Sequence, residues 1–219
     1  MIRGFRRFAG VAASILLLQG SLVPFPLQGQ SSGTRWALEV GGGVAFSSSL
    51  VTSRVAIPRE EGARVEELSL RPSPGPAVAL AVGREVAPGW WGELRGGLTR
   101  SVVRGDGPGG GWEVGTLTSL FGAVGFRGEF RPWLHGRVAA GYLHPAGSGL
   151  ALLEEGGETG VLGVVALSTP VPGVPLPLRV EAEFQRHAFG TPRIRQAGGS
   201  DGGVARWIVS LVWRAGGGG

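Results

Sequence analysis

The stretch Val204 to Trp213, V-A-R-W-I-V-S-L-V-W, sets a strict period of two: Trp207, Val209, Leu211 and Trp213 are large and apolar. The residues between them, Arg206, Ile208, Ser210 and Val212, are mixed. Period two belongs to a strand, whose successive side chains point to opposite faces. About ten residues is the length a tilted strand needs to cross a bilayer. The stretch therefore reads as the closing strand of a membrane β-barrel.

Similar segments recur along the chain. They are Arg35 to Phe46, Pro76 to Val86, Trp90 to Val103, Val114 to Phe126, Trp133 to Leu143, Thr159 to Leu167 and Leu178 to Ala188. With the last stretch this predicts an all-β, eight-stranded antiparallel up-and-down transmembrane barrel. The phase of Val114 to Phe126 is the least clear. The connections alternate between long (47–75, 104–113, 144–158, 189–203) and short (87–89, 127–132, 168–177), the pattern of outside loops and periplasmic turns. Leu50 to Ile57 and Ala63 to Leu70 are strand-like around 58–62. They read as a hairpin beyond the membrane, with a ten-stranded barrel as the alternative. After the N-terminal segment no apolar run approaches the ~18 residues of a spanning helix.

The N-terminus reads as a signal peptide over residues 1–29: a basic Met1 to Phe8, an apolar Ala9 to Leu18, then a polar and Pro-rich stretch. The barrel domain is then 30–219, with strands over about 34–214. Of 21 basic residues, all Arg, three (Arg3, Arg6, Arg7) lie in that segment. The remaining 18 face 16 acids with no long basic run, which argues against nucleic-acid binding. Without cysteine, disulfides and thiolate metal sites are excluded.

Strand parity sorts the side chains. One face is large and apolar; the other is Gly, Ala and charge. An eight-stranded barrel is only wide enough for side chains to fill. The expected interior is an ion network of Glu39, Glu93, Arg95, Arg137, Arg179, Glu181, Glu183 and Arg206, with Glu85 also inward. Trp36, Trp90, Trp213 and Phe126 fall at the periplasmic ends of strands, and Phe46 and Tyr142 at the opposite ends. They read as two interface girdles. Arg84, Arg100 and Arg186 face outward near strand ends, where an Arg costs only about 0–1 kcal/mol.

The segment F-R-P-W-L-H-G-R-V-A-A-G-Y, Phe130 to Tyr142, and the aromatic-ended last strand resemble the small outer-membrane β-barrel family, with its OmpX/OmpA-like and opacity-type domains. The resemblance covers residues 34 to 214. It implies an integral protein of the bacterial outer membrane that meets lipid, lipopolysaccharide and the barrel-assembly machinery, with no cofactor. That family includes adhesins, anchors, small-solute pores and a few enzymes.

The search for chemistry yields little. Among His135, His144 and His187 no metal spacing occurs. His187 with Glu183 is the strongest catalytic pair, but the position two after His187 is Phe189 rather than the Ser of a lipid A deacylase. The expectation is a monomeric, non-enzymatic barrel with a plugged polar interior and a structural or surface-interaction role carried by its loops. The alternatives are a narrow pore or apolar-solute conduit, and a soluble periplasmic ligand-binding barrel.

Overall fold

A computed structural model describes residues 35–59, 62–107, 110–148, 159–188 and 203–216. The signal segment and Phe189 lie outside the described residues.

Among the described residues ten strands form: β1 (Trp36–Ser47), β2 (Val51–Arg59), β3 (Gly62–Pro72), β4 (Gly75–Ala87), β5 (Trp90–Gly107), β6 (Gly110–Arg131), β7 (Leu134–Ser148), β8 (Gly160–Pro170), β9 (Leu178–Ala188) and β10 (Gly203–Gly216). Eight of them close a ring. From β4 to β10 each pairs antiparallel with the next in sequence, and β1 joins β4 to β10. The seam between β1 and β10 is continuous from Ala37↔Gly216 to Ser47↔Arg206. A closed ring leaves no lateral edge to satisfy in lipid.

The ten-strand alternative is corrected. Strands β2 and β3 exist, but they form a hairpin outside the ring. β2 pairs with β3 alone, and β3 joins β5 at only four positions, Ser69↔Asp106 to Pro72↔Val103. One short turn and one long loop are also shorter than the sequence suggests. β6 continues to Arg131, so Arg127 is strand rather than turn, and β5 and β6 extend to Gly107 and Gly110. Cross-strand hydrogen bonds carry these polar segments past the point where apolar alternation stops. The tight turn at Pro88 and Gly89 puts Gly89 at φ 74°, a conformation glycine adopts without a Cβ clash.

The ring's radial order is reversed from that of a soluble barrel. Leu80, Leu98 and Val209 are 40%, 38% and 47% exposed, whereas Glu93 and Arg137 are 8% and 2% exposed. Leu94, Val124, Val138, Val165 and Leu211 extend the outward apolar surface around the ring. Exposed apolar patches on soluble monomers rarely exceed a few hundred Å². A band encircling the whole barrel is the surface of a protein solvated by acyl chains.

Candidate functional site

The site is the lumen, built by residues two apart on inward faces. β1 supplies Glu39; β5 supplies Trp91, Glu93 and Arg95; β7 supplies His135 and Arg137; β9 supplies Arg179, Glu181 and Glu183. Arg137 is the hub. Its guanidinium binds Glu39 Oε2 at 2.6 Å and also engages Glu93 and Glu181. The three carboxylates stand on β1, β5 and β9, so one side chain ties separate walls together. Arg95 reaches Glu181 at 3.1 Å and Glu183 at 2.5 Å. Arg127 pairs with Glu39, and Arg179 approaches the same carboxylate at 4.0 Å. Four guanidiniums thus meet four carboxylates. Opposite charges this deeply buried are tolerable only when mutually paired, because each alone loses its hydration.

Arg206 corrects the expected network. It is 2% exposed, but it donates to Ser47 Oγ at 3.2 Å and Ser119 Oγ at 3.1 Å, and no carboxylate among the described residues comes within salt-bridge distance. Its parity places it inside; its height places it above the carboxylates. Glu85 also departs from expectation: it sits at the rim, 3.6 Å from the exposed Arg35. Arg127 and Arg214 join the lumen from beyond the predicted strand segments, and Trp91 joins it on the parity of Glu93 and Arg95, though it is not among the expected network residues. The Arg127 and Arg214 guanidinium carbons lie 5.4 Å and 4.3 Å from the Trp91 ring centroid. Both arginines stand toward strand ends, just beyond the apolar alternation that marks the strands in the sequence.

Toward the long-loop end the filling becomes apolar. Phe121, Ala123, Leu143, Leu162 and Val164 pack in one cluster, and Leu50, Leu70, Val103, Val114, Leu117 and Val204 in another. Leu50 and Leu70 flank the hairpin, so its base caps the lumen. Between these layers a void of about 10 Å³ beside Gly41, Ala77, Arg95 and Ser210 has room for about one water.

The pair considered for catalysis is engaged elsewhere. Glu183 is held by Arg95 and by Gln185 Nε2 at 2.5 Å, and His187 Nδ1 lies 3.0 Å from the Ala188 carbonyl. Among the described residues no three His, Asp or Glu side chains converge to hold a metal. Trp36, Phe46, Trp90, Phe126, Tyr142 and Trp213 all lie on the outer surface. Trp90 meets Phe130 edge-on at 5.9 Å, and Phe184 meets Trp207 at 4.8 Å, joining further aromatics to that surface.

These features define a class: a small, closed, up-and-down β-barrel with an acyl-facing exterior and ion pairs on its inward face. Solved structures of similar build include Ail, the attachment invasion locus protein of Yersinia pestis, at 12% identity and TM-score 0.46 over 82% of this chain and 98% of that one. Neisserial surface protein A (NspA) aligns at 10% identity and TM-score 0.46, over 84% and 99% of the two chains. The outer membrane protein OprG from Pseudomonas aeruginosa aligns at 10% identity and TM-score 0.44, over 82% and 95%. None of these likenesses transfers a function to this chain. No protein-family model matches the sequence, and no curated protein does.

Proposed function

We propose that this chain is an integral outer-membrane barrel with a plugged lumen, acting as a structural or surface-interaction protein through its long-loop end. The supporting observation is the Arg137 hub. A guanidinium bound to carboxylates on three walls occupies the axis along which a solute would pass. Glu39, Glu93, Arg95, Arg137, Arg179, Glu181 and Glu183 are the plug in this reading, and Arg206 its upper polar neighbour. Residues 1–29 direct export, and the assembly machinery inserts the barrel as a non-enzymatic monomer. Trp36, Trp90, Trp213 and Phe126 sit at the periplasmic headgroup level, and Phe46 and Tyr142 at the outer one.

The outer face of β5 supports contact with lipopolysaccharide. Above Leu94 and Leu98 come Arg100 and Arg104, and Arg71 of β3 lies directly across from Arg104. Two like charges face to face destabilise a sheet unless an anion joins them. Glu113, across from Arg104 on β6, offsets part of that charge.

Planar-bilayer recording tests the plug. The purified barrel should insert without discrete conductance steps; regular channel openings would reject the reading. Fractionation tests the membrane assignment, with release into the soluble periplasmic fraction as the contrary result.

A further inference from the structure

Not every guanidinium of the lumen has a carboxylate partner among the described residues. Arg95, Arg127, Arg137, Arg179, Arg206 and Arg214 stand in or at the mouth of the lumen with the buried Glu39, Glu93, Glu181 and Glu183, while Glu85 and Glu129 stand at the rim of the same mouth, across from Trp91 and His135. Of the two without a carboxylate partner, Arg206 stands above the network and Arg214 at the short-turn mouth. There Arg127 and Arg214 lie over the same Trp91 ring, Arg127 and Arg179 approach the same Glu39 oxygen, and His135 stands across from Glu129, two residues along β6 from Arg127. The carboxylates in reach are Glu39, already shared by Arg127 and Arg137, and the exposed Glu129. Arg214 rests on the buried Trp91 ring, and no carboxylate among the described residues comes within salt-bridge distance of it. His135 is 3% exposed, and its Nε2 has no hydrogen-bond partner; nor does the buried Nε of Arg214.

We infer that this mouth is a binding site for a small phosphate-class oxyanion, held by Arg179, Arg214 and His135 with Arg127 behind them. Neighbouring guanidiniums suit a multivalent tetrahedral anion, because each planar fork can donate two parallel N–H bonds to its oxygens. A single carboxylate or chloride would leave donors unused. Trp91 supplies a rigid platform that holds the Arg214 guanidinium through its π face. Such an anion replaces the missing countercharge in a place where unpaired charge is costly. Arg179 and Arg214 are only partly buried, so the ligand reaches them from the aqueous side of the mouth. The assignment stands whether or not the barrel conducts.

The test uses the full chain refolded in non-ionic detergent, with thermal unfolding followed in sodium phosphate against sodium chloride at equal ionic strength. Phosphate should raise the Tm saturably, on the order of 5 °C at about a hundredfold excess over Kd. Calorimetric titration with inorganic phosphate should show at least tenfold weaker binding for Arg214→Gln and Arg179→Gln. The outward Arg186→Gln should bind as the parent does. Heat-modifiability on gels verifies folding, and Arg179→Gln, the more peripheral change, carries the test if Arg214→Gln does not fold. Equal Tm in the two salts, or unchanged affinity in folded variants, overturns the site. A response to phosphatidylglycerol-doped micelles without one to inorganic phosphate overturns the soluble-ligand assignment.

Discussion

At the residue scale, the decisive quantity is what a buried charge loses when its partner goes. Arg137→Ala leaves Glu39, Glu93 and Glu181 facing one another around an empty hub. The expected loss is about 3–5 kcal/mol, the range for breaking a buried pair. Reversible urea unfolding in lipid, followed by tryptophan fluorescence, measures it. Glu85→Gln is the contrast. Its partner Arg35 is exposed, and the change should stay within about 0.5 kcal/mol. The same distinction explains what the sequence could tell. Parity alone puts Glu93 with Arg95, and Glu181 with Glu183, on one face. It cannot tell that Arg137 meets Glu39, 98 positions away, because that depends on how the ring closes and at what height. Nor can it show that Arg206 stands beside the hydroxyls of Ser47 and Ser119 rather than a carboxylate. Arg127 and Arg214 escaped for a local reason: the strands outrun their apolar pattern.

At the element scale, β6 explains where alternation failed. Val114, Leu117 and Phe121 are buried while Leu120, Val124 and Phe126 are exposed, so both faces carry bulky apolar residues. A register shift opposite Val103 and Arg104 leaves Val114 unpaired with β5. One extra residue reverses every side chain beyond it, and the period breaks without the strand ending. The hairpin was easier to see, because β2 and β3 keep a turn of charge and glycine between two β-rich runs. Closure also depends on glycines at close interstrand contact. A Cβ on Gly141 would meet the backbone of Gly122 and Ala123, whereas a Cβ on Gly122 meets nothing within 4 Å. Gly141→Val should therefore abolish the compact, heat-modifiable band, because rigid backbone cannot yield. Gly122→Val, on the exposed face of the same strand pair, should keep it. Equal behaviour of the two variants would show that the ring is looser than this register requires.

At the scale of the whole molecule, the arrangement separates into a ring that holds itself together and a hairpin that stands on it. Eight alternating segments and their unequal connections made the ring legible, since each strand carries its own inside and outside. The exterior can be tested at Leu80, which pairs with Val40 and Gly96 midway along the ring. Leu80→Arg should cost about 2–4 kcal/mol in lipid, as expected for an Arg near the midplane of a barrel's outer face. A soluble barrel would tolerate that change on its surface. The hairpin obeys different arithmetic. The ring closes without β2, and β3 contributes only the four positions on β5. Replacing residues 53–67 with a Gly-Ser turn keeps Leu50 and Leu70, whose side chains belong to the apolar cap with Val103, Val114, Leu117 and Val204. It also shortens a loop, which lowers the entropy cost of closing it. The trimmed barrel should retain its heat-modifiable band and its unfolding midpoint, while any surface interaction carried by the hairpin falls away. Loss of the folded band on trimming would mean that the hairpin is part of the ring's closure.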